Sequence, residues 1–154
     1  MPNPVSPNLI ADAVVAAIRA LNLVAGTKVQ KLKTPSLPSG VDPPFIAVCV
    51  GEGGEEGQTE LLDAETKINR YPTTVVVIGT GGGRRLGDNE QVREWRTLIE
   101  SAVGDSRACF AGVPGFNMVT TIGKAPFDGS LIPRDLDYSA QTFNVEVLES
   151  RVPS

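Results

Sequence analysis

The spacing of apolar residues along this chain switches between helical and extended periods, and each switch marks an element. Leu9, Ile10, Ala13, Val14, Ala17, Ile18 and Leu21 recur at i, i+1, i+4, i+5, i+8, i+9 and i+12, one wide stripe along a helix of about four turns. Ser6 suits the cap and Pro7 the first helical position, where its missing N–H costs nothing, and Gly26 is the expected stop. Residues 27–34 then alternate polar and apolar with lysines outward, the look of an edge strand. After a proline-broken loop, residues 45–50 (Phe-Ile-Ala-Val-Cys-Val) form a continuous apolar run, hence a central strand. An acidic, glycine-rich stretch at 51–58 has nothing to bury and reads as a solvent loop.

Residues 70–78 are apolar and β-branched, which predicts a strand, extended back through residues 60–69. Pro72 gives that strand an irregular or edge portion. Asp88, with Gln91 three residues on, is placed to satisfy the first free N–H groups of a second helix. On that helix Val92, Trp95, Leu98, Ile99, Ala102 and Val103 share a face. Residues 104–115 read as a loop and 117–122 as a strand. The last strand spans 139–149, with Phe143, Val145 and Val147 on one face and Asn144, Glu146 and Leu148 on the other. The order α-β-β-β-α-β-β implies an α+β fold: a single, mostly antiparallel sheet with two amphipathic helices packed on one face. It forms one domain, with an N-terminal arm (1–6), a core (7–149) and a short tail (150–154). The second face is expected to be half exposed. Tyr138 and Leu148 fall on it, which hints that it meets something.

Composition narrows the function. Only 5% of residues are aromatic, so the core must be built mainly from Val, Ile, Leu and Ala. A net charge of −4 argues against binding nucleic acid by phosphate neutralisation. There is no histidine, which excludes Ser-His-Asp and Cys-His nucleophile systems and removes the commonest metal ligand. A non-enzymatic protein is the expectation. Cys49, inside an apolar strand, reads as a small buried thiol; whether Cys109 can reach it stays open. No apolar run approaches the ~20 residues of a membrane span, and the N-terminus is no secretory signal, so residence in the cytoplasm is expected.

The glycine-rich loop at 79–87 joins a strand to a helix, as phosphate-binding loops do. Its spacing fails that test. G-x-G-x-x-G requires glycine where Arg84 or Leu86 stands, and the Walker reading puts Asp88 and Asn89 where Lys and Ser or Thr belong. A loop carrying Arg84 and Arg85 suits a contact surface instead. Asp128, Asp135 and Asp137 lack the glycine and closing glutamate of a calcium loop and read as turn residues. Glu52, Glu55 and Glu56 sit in a glycine-rich loop that fixes no geometry for proton transfer. No cofactor or metal is expected.

In layout the chain resembles the tail terminator, or tail-completion, proteins of long-tailed bacteriophages. The likeness covers nearly the full length. It rests on the helix at 9–21, the Pro-Phe-Ile-Ala-Val-Cys-Val strand, the strand begun at Arg70 with the helix at 88–103 after it, and a closing strand of the form Tyr-x-x-x-x-Phe-x-Val-x-Val. The resemblance implies a virion structural protein: a homo-oligomeric ring, commonly hexameric, that ends tail-tube growth at the head-proximal end. Its partners would be further copies of itself, the major tail tube protein and a neck or head-completion protein, with DNA only as passing cargo and no membrane. Arg70, Arg84, Arg85, Leu86, Phe127, Leu131, Ile132, Arg134 and Tyr138 are the expected residues of the inter-subunit or tube and neck interface. A head–tail connector or head-closure ring is the alternative of the same class. A small cytoplasmic nucleotide-binding domain using the 79–87 loop is the alternative of another.

Overall fold

The structure, a computed structural model, describes residues 7–32, 40–41, 44–50, 59–61, 66–79, 86–104, 109–122 and 138–150; at 7, 59–61, 66–67, 86–93, 122, 138–139 and 149–150 it describes the backbone alone. Within these residues the elements are α1 (Pro7–Arg19), β1 (Val29–Lys31), β2 (Phe45–Val50), β3 (Thr59–Leu61), β4 (Thr66–Ile78), α2 (Leu86–Gly104), β5 (Phe116–Ile122) and β6 (Tyr138–Ser150). The strands form one sheet in the order β1-β2-β4-β6-β5, with β3 paired to β4 off that path. All pairings are antiparallel except β1 with β2. Both helices pack on one face, α1 over β1 and β2, and α2 over β4, β6 and β5. The fold is α+β, as the apolar periods imply.

The β4–β6 ladder is the frame. It runs without a break from Thr66↔Ser150 to Ile78↔Tyr138. Because a strand's side chains alternate, this register aims Tyr71, Val75 and Val77 of β4 and Phe143, Val145 and Val147 of β6 at the helices. There they meet Ile10, Val14 and Ile18 of α1 and Ile99 and Val103 of α2, all buried. Each such side chain contributes about 1.5–3 kcal/mol when fully buried. Among the described residues the core contains no buried leucine; it is built of Val and Ile, with Phe45, Phe110 and Phe143 as its largest fully buried members.

The β-bulge and turn before β5 have their own anchors. Phe110 is buried and stacks on Phe116 with ring centroids 4.9 Å apart. Gly115, at φ +77°, lets its carbonyl accept from the Leu148 N–H at 2.8 Å. At the other edge, Arg19 ties the end of α1 to β1, donating from Nε to Gly26 O and from Nη2 to Val29 O, each at 2.9 Å.

Several sequence expectations need correction. The first helix ends at Arg19 and turns out through Asn22 at φ 56°, a conformation that asparagine tolerates better than most residues, so Gly26 is not the stop. Gly26 instead opens a single 3₁₀ turn, which shortens β1 to Val29–Lys31. The second helix starts at Leu86, two residues before the expected cap at Asp88. The strand expected to run back through residues 60–69 does so only from Thr66; residues 59–61 form a separate short strand that pairs with it. Leu9 and Leu98, placed on buried stripes by spacing alone, are 39% and 45% exposed, since among the described residues the sheet covers only one side of each helix.

Pro72 behaves as read. On the side away from β6, the partners of β2 end at Thr73 and those of β3 begin at Asn69, so the proline falls in the gap where no N–H is needed. The second face, expected to be half exposed, is so at one end only. At the other, Phe45, Ala47, Val76 and Ile78 are fully buried as a second core, with Leu32, Val41 and Ala140 against it.

Gly115→Ala tests the turn. A Cβ there would meet the Leu148 carbonyl oxygen in a conformation that already disfavours a side chain. The expected loss is about 2 kcal/mol or more in a urea titration, whereas Gly112→Ala, with open space around it, stays within about 0.5 kcal/mol of wild type.

Candidate functional site

The end of the sheet not covered by the second core is a mixed surface built in rows across β4, β6 and β5. One row holds Arg70, Glu146 and Met118; the next holds Pro72, Asn144 and Thr120; a third holds Thr74 and Thr142. Ile68 and Leu148, both half-buried, continue it outward. Alternation puts these even-numbered residues on the face away from the helices, because their odd-numbered neighbours fill the core.

Glu146 is the centre of the surface. Its carboxylate accepts from Arg70 Nε at 3.1 Å and from Asn117 Nδ2 at 2.5 Å, with the glutamate side chain 11% and the arginine 29% exposed. That pair is neither a loose surface contact nor a deeply desolvated one. Two charge-assisted donors on one carboxylate stabilise it and lock β4, β6 and the bulge of β5 together. Thr74 and Thr142 share a hydroxyl–hydroxyl bond of 3.0 Å two rows away. Between them Asn144 Oδ1 is buried without a hydrogen-bond partner among the described residues. Met118 stands over this polar core at 49% exposed.

On the opposite side, α1, α2 and the turn at 109–113 enclose a shallow groove of about 600 Å³, lined by Leu9, Asp12, Ala13, Ala16, Ala17, Ala102, Cys109, Gly112 and Val113. Asp12 is its single charge, and it is held by Lys31 at 2.7 Å. A smaller hollow of about 350 Å³ between α2 and β5 carries Thr97, Glu100, Ser101 and Thr121, with Glu100 accepting from the buried Gln141 at 2.9 Å. Neither brings convergent polar groups onto an enclosed apolar cavity, the usual form of a small-molecule site. Among the described residues no cluster of acidic or cysteine side chains is arranged for a metal. No helix among them is long and apolar enough to cross a membrane.

The two cysteines do not meet. Cys49 lies opposite Thr74 on the face away from the helices, while Cys109 packs against the helix-side core with its Sγ 3.7 Å from Ala13 O. Burial pushes each thiol up to about 11. Both are therefore protonated near neutrality and poor nucleophiles.

Of the interface residues expected from sequence, Arg70 lies at the heart of this surface. Tyr138 is the first residue of β6, paired with Ile78, eight rungs from Arg70 and so about 26 Å away at the usual rise. Leu86 is the first residue of α2. Arg84, Arg85, Phe127, Leu131, Ile132 and Arg134 lie outside the described residues. Glu146, Asn117, Asn144 and Met118 were not named as site residues. The signal for two of them was present, because Asn144 and Glu146 alternate against an apolar face in a strand otherwise fit for a core.

No family model matches the chain. No curated protein matches it in sequence.

Two outcomes follow. Arg70→Met leaves the Glu146 carboxylate short of a donor and is expected to cost about 2–3 kcal/mol by chemical denaturation, with part recovered by the double substitution Arg70→Met/Glu146→Gln. For the thiols, the raised folded pKa means burial favours the neutral form. That stability is fully present below pH 9 and is lost as pH rises from the ordinary value of 9.0 through about 11. Thermal melts should show a drop over that window that Cys49→Ser/Cys109→Ser reduces, and alkylation at pH 8 should be far slower folded than unfolded.

Proposed function

We propose that the chain is a virion structural protein, a ring subunit at the head-proximal end of a phage tail that stops tube growth and joins the tail to the neck. The observation that carries this reading is the asymmetry of the sheet. One face is sealed by two helices, and the other presents half-exposed Arg70, Ile68, Leu148 and Met118 beside an edge strand. Arginine and methionine over a largely hydrogen-bonded polar centre suits the composition of a protein contact better than that of a substrate cleft. The helix α1, the strand β2, the β4–α2 succession and the closing pair β5 and β6 are in keeping with this reading, because the resemblance to tail terminators rests on elements at those places; β3 is an addition to them.

A ring is a head-to-tail contact that closes on itself, and permanent contacts of this kind bury about 2,000 Å² or more. Arg70 and its neighbours supply one side of such a contact. Arg84, Arg85 and Leu86, before and at the start of α2, are proposed residues of the contact with the tube or neighbouring subunit, and Phe127, Leu131, Ile132, Arg134 and Tyr138 are proposed as further residues of it. Electron microscopy of the protein mixed with assembled tail tubes is the test. A closed ring at one tube end is expected, with Arg84→Ala/Arg85→Ala weakening its binding about tenfold or more. Tubes left bare at all concentrations would overturn the reading, and rings found only on the head side would replace it with a connector.

A further inference from the structure

Among the described residues the sheet path ends in two edges, and they are built in opposite ways. β1 has three residues and is guarded. Arg19 occupies the Val29 carbonyl at 2.9 Å, Gln30 turns back to Thr27 O at 2.8 Å, and Lys31 carries a charge held by Asp12. Short length, lysine and side-chain capping are the usual means by which edge strands are kept from pairing with other chains. β5 has none of them. Its seven residues, Phe-Asn-Met-Val-Thr-Thr-Ile, include no charge and no proline, and Asn117, Met118, Thr120 and Thr121 are exposed. Among the described residues its strand partner is β6 alone.

The one irregularity in β5 lies between Phe116 and Met118, so the regular stretch is Met118–Ile122 with Thr120 at its centre. That stretch matches itself. Run antiparallel to a second copy about Thr120, it sets threonine against threonine, Met118 opposite Ile122, and Val119 opposite Thr121. Threonine pairs and β-branched or apolar pairs are favourable cross-strand neighbours, and no like charges meet. The guarded β1 edge offers no such match.

We propose that β5 pairs with β5 of a second copy of this chain about a twofold axis at Thr120, joining two sheets into one and merging their two Arg70–Met118 surfaces. A twofold contact differs from the head-to-tail contact of a ring, so this pairing goes beyond the ring reading and stands or falls apart from it.

The test is the mass of the full chain by sedimentation equilibrium at tens of micromolar. Wild type should give twice the 16.3 kDa of one chain. Thr120 is exposed, so Thr120→Lys and Thr120→Glu should keep the wild-type circular dichroism, and the wild-type melting once both are diluted to concentrations at which the wild type is monomeric. Each sets like charges face to face on the axis and should raise the dimer dissociation constant at least about tenfold. Mixing the two variants should restore a dimer, which a merely misfolded strand would not do. A monomeric wild type, variants that remain dimeric, or a mixture that stays monomeric would each overturn the pairing. A larger ring unaffected by either substitution would overturn it while leaving the ring reading intact.

Discussion

Everything in this molecule depends on one register, the unbroken antiparallel pairing of Thr66–Ile78 with Tyr138–Ser150. A shift of β6 by one residue against β4 would turn Phe143, Val145 and Val147 away from the helices and bring Asn144 and Glu146 beneath them. The apolar set outweighs any competing arrangement, because each of those side chains contributes about 1.5–3 kcal/mol when buried. The ion pair then adds a second check on the same register. Arg70 and Glu146 are directly opposite in the ladder, and Asn117 reaches the same carboxylate from β5. Hydrophobic burial thus sets which face is which, and the polar group fixes the rungs.

That register also divides the sheet's far face into two regions with different roles. At the end near Ile78, Val76 and Ile78 of β4 and Phe45 and Ala47 of β2 are apolar and fully buried. Toward Arg70 they are Pro, Asn, Glu and Thr, a sequence no dry core would accept unless its polar atoms were satisfied. Most are satisfied, by each other. The result is a firm surface with few loose side chains, on which little conformational entropy is lost when another protein settles. The groove on the helix side has the opposite character. Its alanines and Gly112 are rigid but present one fixed charge, so it offers shape without chemistry.

The strands and helices were readable because their signals were long. Phe143, Val145 and Val147 alternate cleanly, and Ile10, Val14 and Ile18 repeat at helical spacing; all six are buried on the helix side. Where the reading failed, the deciding interaction lay far away in sequence or was too short to have a period. Residues 59–61 are a strand only because β4 extends back to Thr66 to receive them. Leu9 and Leu98 carry the right spacing, and periodicity marks a stripe without stating how wide a face the sheet covers. The second core was missed because Phe45 and Val76 lie in continuous apolar runs, which show no favoured face. At the site, Arg70 enters the expected interface through the resemblance, as the first residue of a strand that in the structure begins at Thr66. Its partner Glu146 lies 76 positions away, and Asn117, which donates to the same carboxylate, 47; no local pattern names a cross-strand pair.

The account's central claim is that a rigid β4–β6 frame carries an edge and face left over for association. Hydrogen exchange of the backbone amides, followed across a wide range of protein concentration, tests it most directly. The account predicts that β4 and β6 exchange slowest at every concentration, and that β5 amides gain protection as concentration rises. Protection of β5 that is already complete at high dilution, or that never changes, would contradict it.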